Sequence, residues 1–184
     1  MDYRKNGFVS FWIGNLESGN NLEKLMEENY SDEEEEIFSD FSKLFKTGRY
    51  DDDFREACFF ENGINNIVDA LVSFSYSEEF VSSFADITKN ELGKNYNTII
   101  LLYNFQYGEK RREISSDKFG FLKFIGFTRY DYSKEALLSE VSRTLGEVPF
   151  EWEKKLFSLS PEKRKLVIEK LIEIKSLQDL DAYL

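Results

Sequence analysis

The residues with the most chemical potential in this chain are two runs of carboxylates. One is Ser31–Glu36, SDEEEE, and the other is Tyr50–Asp53, YDDD. Clustered carboxylates can bind a cation, work as an acid–base pair, or take the place of phosphates against a basic protein surface. Neither run has the alternating ligands and central glycine of a calcium loop. The chain of 184 residues contains no histidine. That removes the commonest general base, the commonest metal ligand and every Ser–His or Cys–His nucleophile pair. No glycine-rich phosphate loop or nucleophile motif accompanies the carboxylates. With 35 acidic residues some pair always lies close, so a pair by itself says nothing about catalysis. The expectation is a protein that is not an enzyme and has no metal and no cofactor. A carboxylate–metal enzyme is the reading the missing histidine weakens most. Two readings of the runs remain: a decoy surface for a basic partner, and a solvated acidic face that only keeps the chain soluble.

The distribution of charge bears on that choice. Residues 1–92 carry 21 acidic and 8 basic side chains, and residues 93–184 carry 14 and 16, for a formal net charge of −11. An imbalance of this kind projects a negative field from one part of the molecule, repelling nucleic acid and membrane surfaces and attracting a basic protein. The basic tip Lys110–Arg112 is too small a footprint for nucleic acid on so acidic a chain. Cys58 is the single cysteine, so no intramolecular disulfide forms, which suits a reducing compartment. No run of about 18 apolar residues suggests a membrane span, and the first residues lack a signal-peptide pattern. A cytoplasmic address is the expectation.

Elements must hold these groups. Phe8–Ile13 reads as a strand, stopped at Gly14–Asn15, with Ser18 or Asn20 as cap for a helix over residues 19–29. Ile37, Phe38, Phe41, Leu44 and Phe45 recur at helical spacing, so Asp32–Lys46 reads as a helix with an acidic start. Phe54–Phe60 reads as a strand. A helix is expected from Asn62 or Gly63, and another after Ser77, closing at Gly93. Thr98–Tyr107 and Phe119–Thr128 alternate with period two and read as a hairpin at the centre of the sheet, with Lys110–Arg112 in its exposed loop. From Asp131 the pattern is helical: Ser133 caps one helix, residues 150–159 form a second, and Ser160–Pro161 starts a third. Trp12, on the first strand, reads as a core aromatic, or as an interface anchor at a strand end. Cys58, in FREACFF, reads as an inert buried thiol.

VSFWIGNLES near the N-terminus, then YDDDF, ENGINNI and FSYSEEF, resemble the immunity protein 22 family over roughly residues 8–130. The most specific piece is the strand with W-I-G-N followed by an acidic helix, and the tail from about Asp131 lies outside the resemblance. The family consists of small α+β proteins encoded beside polymorphic toxins. The resemblance implies an intracellular bacterial antitoxin that binds a cognate toxin domain, often a nuclease, and blocks it. It carries over no catalytic residue and no mapped binding site.

Together these readings predict an α+β fold, with an antiparallel sheet of about four strands and packed helices over residues 1–130, and a helical appendage packed on it over residues 131–184. The expected partner is a basic toxin domain, a nuclease, with no direct nucleic acid and no membrane. The residues expected to meet it are Trp12, Glu33, Glu34, Glu35, Asp40, Tyr50, Asp51, Asp52 and Asp53, the acids pairing with Lys and Arg while Trp12 and Tyr50 supply apolar anchors. The alternative function is an adaptor that docks a partner through its C-terminal helices.

Overall fold

The structure is a computed structural model and describes residues 2–29, 38–64, 66–89, 96–109 and 112–183. The chain forms two compact units, Met1–Tyr130 and Asp131–Leu184.

The first unit is built on a five-stranded antiparallel sheet. Its strands are β1 (Arg4–Asn15), β4 (Arg55–Ile64), β5 (Tyr96–Phe105), β6 (Glu113–Ser116) and β7 (Gly120–Arg129), in the spatial order β4-β5-β1-β7-β6. Two further strands, β2 (Glu28–Asn29) and β3 (Phe38–Ser39), make a small separate ribbon. Its helices are α1 (Gly19–Met26), α2 (Asp40–Phe45), α3 (Ile67–Leu71) and α4 (Ser77–Thr88). Residues Val9 to Ile13 of β1 are at most 1% exposed, so both faces of this strand are covered. An apolar, doubly covered strand belongs in the middle of a sheet. One face gathers Trp12, Ile100 and Leu102 with Leu25 of α1 and Phe41 and Phe45 of α2. The other gathers Phe11, Ile99 and Leu101 with Leu71 of α3 and Phe80 and Phe84 of α4. The fold is thus α+β, with a sheet between two helical layers.

Several expectations need correction. The helix read over Asp32–Lys46 starts only at Asp40, because Phe38–Ser39 pair as β3 and the Ser39 hydroxyl caps α2 by accepting from the Ser42 N–H at 3.1 Å. β5 and β7 do not form a hairpin. β1 lies between them, pairing Trp12 with Ile100 on one side and with Phe124 on the other. The hairpin partner of β7 is β6, which adds the fifth strand in the segment read as a basic loop. The strand after the acidic turn also runs past Asn62 to Ile64, where Ile64 opposes Tyr96. The next helix starts only after Asn66, whose Oδ1 accepts from the backbone N–H of Val68 and Asp69 at 2.8 and 3.2 Å. Finally, α4 begins at Ser77 itself, after Tyr76 in the left-handed region at φ 58°.

Gly14 shows how closely β1 and β7 pack. A β-carbon there would lie 2.7 Å from the carbonyl oxygen of Phe121 and 2.6 Å from a methyl of Leu122. Only glycine lets β1 approach β7 this closely.

The second unit is helical: α5 (Lys134–Leu145), α6 (Phe150–Phe157), α7 (Pro161–Lys170) and a final 3-10 turn, Leu177–Ala182. The Ser133 and Ser160 hydroxyls cap α5 and α7, and Pro161 occupies the first helical position of α7. Leu137, Val141, Leu156, Val167 and Leu180 form its own core.

Candidate functional site

The acidic turn at Asp51 is built by local capping. The Asp51 carboxylate accepts from the backbone N–H of Asp53 at 3.1 Å, which starts the 3-10 turn Asp52–Phe54. This short side chain competes for backbone donors in the manner that makes Asp a turn former. The turn leads directly into β4 at Arg55. Arg55 donates to the Met26 carbonyl at 2.8 Å and pairs with Asp52 at 3.1 Å, so it ties the turn to the end of α1. Asp51, Asp52 and Asp53 are all exposed. They line an open groove with Arg4, Glu28, Arg49 and Tyr50.

The structure separates the other expected contact residues. Glu33, Glu34 and Glu35, with the rest of Asp32–Glu36, lie outside the described residues, as do Lys110, Arg111 and Gly93. Asp40 sits in the first turn of α2, where a negative charge is favoured, and pairs with Lys118 at 2.6 Å. It is not among the residues lining the groove.

Trp12 and Tyr50 must be corrected as surface anchors. Trp12 has no exposed surface, and its ring is surrounded by those of Phe41, Phe45, Tyr107 and Phe124 at centroid distances of 4.9 to 5.9 Å. The reading of Trp12 as a core aromatic is the one its geometry fits. Tyr50 is 6% exposed. Its hydroxyl lies 3.0 Å from the Ser39 hydroxyl, and burial pushes its pKa above the usual tyrosine value. Tyr50 therefore forms a wall of the groove with its ring in the core. Trp12 is inside because the sheet and α2 close over it, whereas Tyr50 keeps a 6% exposed edge at the groove. An isolated strand sequence carries no sign of that.

Arg4, Glu28 and Arg49 are groove residues that the sequence reading missed. Arg4 comes from the start of β1 and Glu28 from β2. Arg4 is held by Asp2 at 2.6 Å. No sequence signal links these positions to Asp51, because the fold alone joins them. Arg49 lay next to the acidic run and was readable from proximity.

In chemical terms the groove offers exposed carboxylates beside two guanidinium groups, an arrangement suited to meeting a basic protein surface through ion pairs. Among the described residues there is no group of three side chains able to hold a metal. No helix is long and apolar enough to cross a membrane, again among the described residues. Cys58, on β4, is half-buried, and burial raises its thiol pKa.

Comparison with curated proteins and with solved structures gives no match. A family model described as Immunity protein 22 does match, over residues 9–131. That span runs from the buried centre of β1 through all five strands of the sheet and includes the acidic turn. On this match, which covers most of the chain, the protein belongs to the immunity protein 22 family.

Proposed function

We propose that the protein is an immunity protein of a bacterial polymorphic toxin system, acting in the cytoplasm by binding and inhibiting its cognate toxin, a nuclease. Membership of the immunity protein 22 family carries this reading. The choice of a nuclease rests on charge. A groove that binds nucleic acid is positive, and a chain of net charge −11 with an exposed acidic turn is its electrostatic complement. Inhibition then needs no chemistry by this chain: the bound protein excludes substrate. In this reading Asp51, Asp52 and Asp53 meet Lys and Arg of the toxin, and Arg4 and Arg49 set the register of those contacts.

The test is co-expression with the toxin encoded by the neighbouring gene. Co-purification as a complex, with toxin activity lost in the complex and restored on separation, supports the reading. A toxin that is fully active in the presence of excess folded protein contradicts it. One observation favours the adaptor as a second reading: Phe150, Leu166 and Ile172 of the second unit are 69%, 42% and 92% exposed. Truncation after Tyr130 distinguishes the two, because toxin binding survives it only in the first reading.

A further inference from the structure

We propose that the outer edge of β4 docks an extended strand of the toxin, one that carries basic side chains at alternate positions. The inference rests on the immunity reading and names the element through which it operates.

β4 ends the sheet. Among the described residues it pairs with β5 alone, from Arg55 opposite Leu102 to Phe59 opposite Thr98. In an antiparallel ladder every second residue of such a strand aims its backbone N–H and C=O away from its partner, leaving a row of groups ready for another strand. Proteins usually blunt this hazard by keeping the edge short or by placing Lys or Pro on it. The opposite edge follows that rule, since β6 has four residues. β4 follows it less closely: its ladder to β5 runs unbroken over five residues, Arg55–Phe59, before the register shifts on the way to Ile64, and the strand has neither Lys nor Pro. Its centre, Ala57, Cys58, Phe59 and Phe60, is uncharged, with Ala57 exposed and the others half-buried.

The surroundings of the edge suit an added strand. Such a strand sends its side chains alternately to the two faces of the sheet. A groove flanks β4 on each face. One lies against α1, with Leu22 and Met26 as its apolar floor and Glu23 at its rim. The other lies against α3, with Ile64 and Ala70 as floor and Asp69 at its rim. Glu23 and Asp69 are both exposed. Among the described residues Arg55 is the one cation lining either groove, and it is already engaged with Asp52 and the Met26 carbonyl. The acidic turn Asp51–Asp53 continues the same edge at its N-terminal end.

These features select the occupant. Lys and Arg side chains lay their aliphatic stems along apolar floors and present their charge at the end, which matches both grooves. A second copy of this chain fits poorly, because pairing β4 with itself brings acidic rims against acidic rims.

The experiment is hydrogen exchange on the full chain, alone and bound to the toxin domain encoded by the neighbouring gene. We expect the backbone amides of residues 55–61 to slow by at least about tenfold on binding. We also expect Glu23→Lys with Asp69→Lys to weaken the complex by about tenfold while leaving the fold intact. Ala57→Pro should weaken it further, with Ala57→Lys as the milder variant if proline disrupts β4 itself. A complex that forms with β4 exchange unchanged overturns the proposal and leaves the immunity reading standing. Failure to form a complex overturns both. Protection of β4 in the free chain that rises with concentration identifies a second copy as the occupant and also overturns the proposal.

Discussion

Replacing Trp12 with alanine should damage the fold and leave toxin recognition by the folded molecules intact. The side chain is fully buried and lies within 5.9 Å, centroid to centroid, of four other rings. Removing a buried aromatic costs about 3–5 kcal/mol. Each ring pair adds about 0.5–1.5 kcal/mol beyond area burial, which puts this site at about 4 kcal/mol or more. Against a typical total of about 5–15 kcal/mol the loss is severe. At about 2–4 °C per kcal/mol for a chain of this size, the melting temperature should fall by about 8–16 °C. Trp12→Phe should cost much less, about 1–2 kcal/mol. It keeps a ring in place and removes an indole N–H that meets no acceptor among the described residues. Circular dichroism melts are the assay for the fold. The only other tryptophan, Trp152, belongs to the second unit, so fluorescence of the variants reports that unit instead. An alanine variant that loses less than about 1 kcal/mol would refute the argument. So would one that keeps its melting temperature and loses affinity for the toxin.

The remaining predictions concern charge, pH and close packing. Reversing Asp51, Asp52 and Asp53 to lysine should slow association with the toxin by about tenfold or more at low salt, with the difference shrinking at high ionic strength; stopped-flow binding at two salt concentrations measures it, and an unchanged on-rate removes these residues from the interface. Burial raises the pKa of both Tyr50 and Tyr103 in the folded state. The unfolded chain therefore loses these protons first as pH rises past the ordinary tyrosine value of about 10, and stability, flat below that pH, should fall above it. Tyr103→Phe should cost about 1 kcal/mol at neutral pH, because the hydroxyl donates to the Ser75 carbonyl at 2.9 Å, and should soften the alkaline fall; urea melts across the pH range read both effects. Gly14→Ala should destabilise by about 1–3 kcal/mol, since its β-carbon meets the Phe121 carbonyl and a Leu122 methyl, whereas Gly146→Ala has open space and is strained only by its φ of 88°; melting temperatures of the two variants compare them.

Local chemistry was the legible part of this chain. Ser133 and the Ser160–Pro161 pair mark helix starts from within a few residues, and the structure places α5 and α7 there. The turn at Asp51–Asp53 was visible as a cluster, because three adjacent aspartates need no partner to be exposed. Long-range choices were not legible. Nothing in Thr98–Tyr107 or Phe119–Thr128 reveals that a strand nearly ninety residues upstream of one of them comes between the two. Period-two alternation identifies a strand and leaves its neighbour open. The extension of β4 to Ile64 was hidden for the same reason. Asn62 and Gly63 favour a turn locally, and the pairing of Ile64 with Tyr96 overrides them. Trp12 shows the limit most sharply. A strand-borne tryptophan reads more readily as core than as anchor, and the arrival of α2 with Phe41 and Phe45 decides between them.

The central claim is that this chain silences a toxin by binding it, and a titration of toxin activity tests that most directly. Purified toxin at fixed concentration, assayed on nucleic acid with increasing amounts of this protein, should lose activity linearly and reach its floor at a ratio of one to one. Full toxin activity at a large excess of the folded protein would contradict the account.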